Sequence, residues 1–254
     1  MEKLAVWSES CLVRFGAIDK SDTMTLSAVF NVFQEAAVSH AENLGVGRES
    51  MAKSGQVWIL SRISVQVDRR PKYGETVTVR SWPRSWAKLF AVRDFDIRDA
   101  QDNPVIRARS CWIIIDLETR RPVRPQGALE GIPLNEGLDA LPFLPAGLEE
   151  RQSLQKAEEH RVVYNDVDYN GHVNNVSYIR WIENNMNPSL LEQAKQCRLD
   201  INYMGEVLPG ETANIWSTGI ETSAEDLPSH AFAIEGKKAH DNQTAFRAEL
   251  RLWV

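Results

Sequence analysis

Apolar residues recur at three- and four-residue steps in two places along the chain. Leu26, Val29, Phe30, Phe33, Ala37, Ala41 and Leu44 form the first series, with Thr25 placed to cap its start and Gly45 to close its end. This spacing predicts a long, largely buried helix. Val176, Ile179, Ile182 and Met186 predict a second helix, after an Asn-rich start at Asn174 and Asn175, with Pro188 ending the run. Around these helices the period changes to two. Ile63, Val65 and Val67 alternate with Arg62, Ser64 and Gln66, and Val77 and Val79 with Thr76, Thr78 and Arg80. Such alternation marks half-buried antiparallel strands rather than the unbroken apolar runs of a parallel sheet. Further strands are expected at Leu89 to Ile97, Ile106 to Asp116, Leu199 to Tyr203, Thr212 to Ser217, Ala231 to Ile234 and Phe246 to Val254.

The two halves of this pattern look like diverged duplicates. At an offset of 148, Phe30, Phe33 and Glu35 fall on Tyr178, Trp181 and Glu183; at 136, Arg62, Gly74 and Glu75 fall on Arg198, Gly210 and Glu211. From about Glu118 to His160 periodicity fades and five of the 11 prolines cluster, which marks a linker. The expected organisation is a first domain over residues 1–125, a linker over 126–157 and a second domain over 158–254. Each half is long enough for a strand, a helix and a curled antiparallel sheet that buries the helix, an α+β layer arrangement.

Charge and cysteine usage narrow the partners. With 29 Lys+Arg against 35 Asp+Glu, a formal charge of -6 and a pI near 5.5, no broad grip on nucleic acid or anionic membrane is expected. Cys11, Cys111 and Cys197 are odd in number and far apart, which argues against a disulfide framework and suits a reducing, cytoplasmic setting. The N-terminal residues lack the apolar core of a signal peptide. The longest uncharged stretch, Thr23 to Gln34, is 12 residues, short of the ~18–20 of a membrane span. The five His residues show no metal-ligand spacing, so no metal or other cofactor is expected. His40, on the apolar face of the first helix, reads as a satisfied core His.

The densest polar cluster runs from Asp166 to Tyr178, where a strand is expected to turn into the second helix. A helix start carries free N–H groups and positive dipole, so it favours a developing oxyanion. On an extended segment Asp168, Asn170 and His172 project to one side. Asp, Asn and Gly before a helix are equally what a turn and N-cap use, and spacing alone leaves both readings open.

Asp168-Tyr169-Asn170-Gly171-His172-Val173-Asn174-Asn175, followed by Tyr178 and Trp181, closely resembles the D-x-N-x-H-V-N-N motif of the acyl-acyl-carrier-protein thioesterases, which are double hotdog proteins. The Asn202-Tyr203-Met204-Gly205-Glu206, Gln34-Glu35-Ala36 and Trp58-Ile59-Leu60-Ser61-Arg62 segments also resemble bacterial members. The resemblance implies two fused hotdog domains and hydrolysis of a fatty acyl thioester on an acidic acyl carrier protein. It places the catalytic Asp, Asn, His and Glu on Asp168, Asn170, His172 and Glu206. In plant members a Cys follows that Glu; here Val207 does. Cys197 lies ten positions earlier, roughly 33 Å along an extended strand, so water is the expected nucleophile. Without the resemblance, Glu206 reads as a partner for an Arg such as Arg198.

At the offset of 148, Asn170 and His172 fall on Asp22 and Met24, so the first half is expected to have lost the polar set and to bind the acyl chain. Phe30, Phe33, Trp58 and Trp112 are candidates to line that site, or simply core. Arg69-Arg70-Pro71-Lys72 and Arg120-Arg121 with Arg124 are the basic clusters available to a carrier protein, or solvated turns. An acyl-CoA thioesterase, a hotdog dehydratase and a non-hydrolytic acyl-binding protein are the rival readings. The chain is expected to act as a monomer or homodimer.

Overall fold

The computed structural model describes residues 2–221 and 228–254. The first half contains β1 (Trp7–Leu12), α1 (Leu26–Leu44), α2 (Arg48–Lys53), β2 (Gln56–Val67), β3 (Thr76–Ala87), β4 (Phe90–Arg98), β5 (Pro104–Asp116) and the two-residue β6 (Pro122–Val123). The second contains β7 (Gln155–Arg161), α3 (Asn175–Asn185), α4 (Pro188–Gln193), β8 (Gln196–Tyr203), β9 (Thr212–Ile220), β10 (His230–Lys238) and β11 (Thr244–Trp253). The strands join into one antiparallel sheet in the order β1-β3-β4-β5-β2-β8-β11-β10-β9-β7, with β6 beside β5. The order reads the same from either end, strand for strand, about the β2/β8 seam. The fold is α+β: two hotdog units, each a helix against a curved sheet, sharing one sheet.

Both helices form where the apolar spacing places them. The Thr25 side chain accepts from the Ala28 N–H at the start of α1, and Gly45 at its end takes the left-handed φ of 76° that a residue without Cβ adopts freely. Asn174 caps α3 by accepting from the Val176 N–H. Pro188 does not simply stop the chain; it opens the short helix α4, where its missing N–H costs nothing. α1 buries Val29, Phe30, Phe33 and Ala36 against Val65, Val79, Phe95 and Ala108 of the sheet, in one core cluster with Ile179 and Ile182 of α3. Burying a side chain such as Phe33, 2% exposed, is worth about 1.5–3 kcal/mol.

The seam gives the internal symmetry its centre. Arg62 pairs with Asn202, Ser64 with Asp200 and Gln66 with Arg198, so the offset of 136 maps the ladder onto itself about the Ser64–Asp200 pair. Ser64 donates to Asp200 at 2.5 Å in the buried middle of the seam. Around the helix starts the offset differs from the one expected. The isolated bridges Ile18–Met24 and Val167–Val173 and the caps Thr25 and Asn174 align at 149, and in the edge ladders β1 maps onto β7 at 149 while β3 maps onto β9 at 136. Matching Phe30 to Tyr178 and Phe33 to Trp181 follows aromatic identity, but the capping bonds set the true frame, one residue away.

Residues 124–154, expected to link the halves, hold no helix or strand and are fastened to the sheet face opposite the helices. Trp82 donates its indole N–H to Leu138 O at 3.0 Å, Asp94 accepts from Ala140 N at 2.8 Å, and Asn202 accepts from Leu148 N at 2.7 Å. The stretch from Glu118 to His160 also contains β6 and most of β7, so both its ends belong to the sheet.

His40 is fully buried, as a satisfied core His. Its Nε2 lies 2.9 Å from Leu4 O, which can only accept, and its Nδ1 lies 3.1 Å from Arg93 Nη1, which can only donate; the ring is therefore the neutral Nε2–H tautomer. Burial pushes its pKa from 6.5 down to about 4. Between those values the unfolded chain binds a proton that the native state refuses, so this group makes stability fall as pH drops, by up to about 3 kcal/mol. Urea unfolding from pH 7 to pH 4 is expected to show this slope in the wild type and a shallower one in His40→Gln; equal slopes would refute it.

Candidate active site

The site grows out of a tight turn ahead of α3. Asp168 N donates to His172 O at 3.0 Å and Gly171 N to Asp168 O at 3.0 Å, while Val167 bridges Val173. Gly171 has φ 83°, which only a residue without Cβ takes without strain. The segment is therefore a closed turn and not the extended run that would align Asp168, Asn170 and His172 by alternation. Asp168 accepts from the Asn170 backbone N–H at 2.8 Å and from its amide at 3.4 Å, so these two side chains are joined directly. From the other half, the Arg48 guanidinium of α2 lies 3.8 Å over the Tyr169 ring.

Glu206 arrives from a separate segment. It is not in a strand, because β8 ends at Tyr203; it stands in the loop that follows, beside Gly205, whose carbonyl is 3.5 Å from the Tyr178 hydroxyl. Val173 N donates to Val207 O at 2.9 Å, which ties this loop to the residue after His172. The result brings His172 Nε2 within 3.9 Å of Glu206 Oε1, with the side chains 37% and 54% exposed. Arg198 does not pair with Glu206; it is held by Asp200 at 2.9 Å. Asp168 and Gly171 shape the turn and Asn174 caps the helix. Among the described residues, the side chains of His172 and Glu206 have no hydrogen-bond partner on the protein. The two side chains thus face each other, open to solvent.

The thiols are unsuited to attack. Burial pushes the Cys197 pKa up to about 12 and that of Cys111 up to about 11, and raises that of Cys11 too. Val207, where plant members carry a Cys, is fully buried. Phe30 and Phe33 lie in the main core, Phe33 against Phe95 at 4.9 Å between ring centres. Trp58 and Trp112 are only partly buried, against a smaller cluster of Leu44, Ala91, Leu129 and Ile132.

In the 149 frame the first-half counterparts of Asp168, Asn170 and His172 are Asp19, Ser21 and Thr23, and in the 136 frame that of Glu206 is Arg70. Asp22 and Met24 are not the counterparts; Asp22 matches Gly171 and shares its positive φ, at 61°, and Met24 is core. The first half has not lost its polar set but closed it. Arg70 pairs with Asp19 at 2.6 Å, reaches Ser21 at 3.2 Å and donates to Leu191 O at 2.9 Å, across to the second half. The cleft beside it, about 30 Å³, holds no more than a water. The signal for this exchange was in the sequence, but the wrong offset hid it.

The fold defines a double hotdog protein. Acyl-ACP thioesterase N-terminal and C-terminal domain profiles match residues 5–127 and 149–248. The chain belongs to the acyl-ACP thioesterase family. It is similar to a chloroplastic palmitoyl-acyl carrier protein thioesterase of Cuphea hookeriana, 30% identical over 216 residues, covering 79% of this chain and 52% of that protein. The chain thus spans about half the length of such curated relatives. By fold it resembles an acyl-ACP thioesterase from Bacteroides thetaiotaomicron, TM-score 0.81 at 22% identity over 97% of both chains. A 12:0-ACP thioesterase from Umbellularia californica superposes with TM-score 0.82 at 22% identity, over 97% of this chain and 93% of that one. Among the described residues no helix is long and apolar enough to cross a membrane.

Proposed function

We propose that the protein hydrolyses the thioester of a fatty acyl-acyl carrier protein to free fatty acid and carrier thiol. The observation that carries this reading is the convergence of His172 and Glu206, from two segments, at 3.9 Å in an open site. A water between them gives up a proton to the pair and its oxygen attacks the thioester carbonyl carbon. The oxyanion that forms is held by the Asn170 amide, which has one N–H on Asp168 and a second free, and by the start of α3. Collapse breaks the C–S bond; the leaving thiol has an intrinsic pKa near 8.5, so it needs no strong acid. The second unit carries the chemistry, and the first receives the acyl chain, with Trp58 and Trp112 better placed to meet it than the core residues Phe30 and Phe33.

The two basic clusters differ in what holds their side chains. Arg69 is bound by Glu75 at 2.7 Å and Arg70 by Asp19, so the first cluster is spent inside the fold. It follows β2. Arg120, Arg121 and Arg124 follow β5, which runs parallel to β8 with only β2 between them, so they lie toward the same end of the sheet as Glu206, with Asp116 opposite Gln56 and Asn202 opposite Arg62. All three are exposed and, among the described residues, free of ion pairs. Arg124 also lines a surface depression of about 350 Å³ with Trp86, Lys88 and Leu89. An acidic carrier protein fits this rim.

The experiment is charge reversal: Arg120→Glu with Arg121→Glu and Arg124→Glu, assayed on acyl-carrier and matched acyl-CoA thioesters. Exposed attractions of up to about 1 kcal/mol each predict at least a tenfold rise in KM for the carrier substrate, roughly, with kcat and the CoA reaction unchanged. Equal effects on both substrates would refute docking at this rim, and faster turnover of the CoA substrate by wild type would refute the carrier preference.

A further inference from the structure

Both halves make the same turn before their helix, yet only the second builds a buried polar network behind it. Asp166 is 6% exposed. Its Oδ2 accepts from Val163 N at 2.9 Å and faces His160 Nε2 at 2.8 Å, and its Oδ1 accepts from Trp181 Nε1 at 3.3 Å. Its carbonyl accepts from Asn174 N at 2.8 Å and from the Ser177 hydroxyl at 3.0 Å. In the 149 frame the first half has Cys11, Ala17, Ala28 and Val32 where the second has His160, Asp166, Ser177 and Trp181. The Ala17 carbonyl still accepts from Thr25 N at 3.0 Å, and Asp19 N still donates to Thr23 O at 3.0 Å.

The comparison separates shape from function. The backbone turn forms without a carboxylate, an imidazole or an indole N–H beneath it. A buried carboxylate costs several kcal/mol in desolvation before its partners offset it, so its presence in one duplicate alone marks a demand of that half. The side chain's route to the reacting pair is lateral: Asp166 holds Trp181, which meets Tyr178 edge-on at 5.0 Å, and Tyr178 reaches Gly205 O next to Glu206. The bond from Asn174 N to the Asp166 carbonyl is backbone and common to both halves.

We propose that Asp166 is a positioning residue that fixes the segments of His172 and Glu206 relative to one another, a role that rests on the hydrolytic reading of that pair. It touches no substrate. Displacing a reacting group by about 1 Å costs on the order of 10²-fold, and that loss in kcat, with KM within about twofold, is the expected effect of Asp166→Ala. Asp166→Asn keeps the side chain's shape and at least one of its acceptor contacts, so it is expected to recover a large part of kcat.

Steady-state kinetics of wild type and both variants on an acyl-carrier thioester, below each variant's Tm, test this. Asp166→Ala with kcat within threefold of wild type, or losing KM rather than kcat, overturns the proposal; should that variant not fold, Asp166→Ser, which also loses the carboxylate, is read against the same criterion. An inactive wild type would instead sink the hydrolytic reading. The His172 imidazole signal in carbon-edited NMR then decides the positioning claim alone: a shifted or broadened signal in the variant supports it, and an unchanged one overturns it.

Discussion

Replacing His172 by Ala is expected to lower kcat for thioester hydrolysis by about 10²–10⁴-fold, the worth of a positioned acid–base group. The native fold should be untouched, because the His172 side chain is 37% exposed and holds nothing in place. Glu206→Gln keeps size and loses the carboxylate, and should fall in the same range. The two side chains face each other across 3.9 Å, and the proposed mechanism has them act on one water as a unit. The double variant is therefore expected to be no slower than the worse single one, the non-additivity shown by groups that serve one step. Losses that multiply would mean that the two act separately. Activity within a few-fold of wild type in either single variant would place the chemistry elsewhere.

Asp94→Ala carries the largest expected cost in stability. Asp94 is fully buried, and its carboxylate holds Arg109 through both oxygens, at 2.7 and 2.6 Å, and the Ala140 N–H at 2.8 Å. Arg109, 3% exposed, is also paired with Asp139 and lies 3.3 Å from Phe143 O. Burial holds the Asp94 carboxyl above its ordinary range even though Arg109 opposes it, a sign of how much hydration the pair has given up. Removing the carboxylate leaves the buried guanidinium with the half-exposed Asp139 as its one counter-charge, a loss of up to about 3–5 kcal/mol. It also frees the 139–143 segment from the sheet. Denaturant unfolding should show the loss, and hydrogen exchange should show it first at Ala140. A loss below about 1 kcal/mol would mean that the segment is held by its apolar residues, Leu129, Ile132 and Leu141, and not by the ion pair.

The helices and central strands were legible because burial imposes a period. Val65, Val67, Val77, Val79 and Ile106 are all 0–1% exposed, and the polar residues between them mark the other face. β1 and β7 were not legible for the opposite reason. They are the edges of the sheet, and β7, Gln-Lys-Ala-Glu-Glu-His-Arg, buries no residue, so hydrogen bonding to β9 defines it without a hydrophobic signature. The strap over the outer face is fixed by Asp94, Arg109, Asn202 and Trp82, partners more than 25 residues away whose pairing no local pattern announces. At the site, the resemblance singled out His172 and Glu206, which the fold brings to 3.9 Å, but the alternation argument assumed an extended segment where Gly171 makes a turn. Asp166 sat at the head of the polar cluster and was passed over, since a buried Asp before a helix looks like one more turn residue until its first-half counterpart, Ala17, is set beside it.

The central claim is that this site hydrolyses an acyl-carrier thioester. Release of free thiol from matched medium- and long-chain acyl-carrier and acyl-CoA thioesters by wild type, beside His172→Ala, tests it most directly. The expected result is rapid release from the carrier substrates, weaker release from CoA, and near loss of both in the variant. No release from either series, or release that survives in His172→Ala, would contradict it.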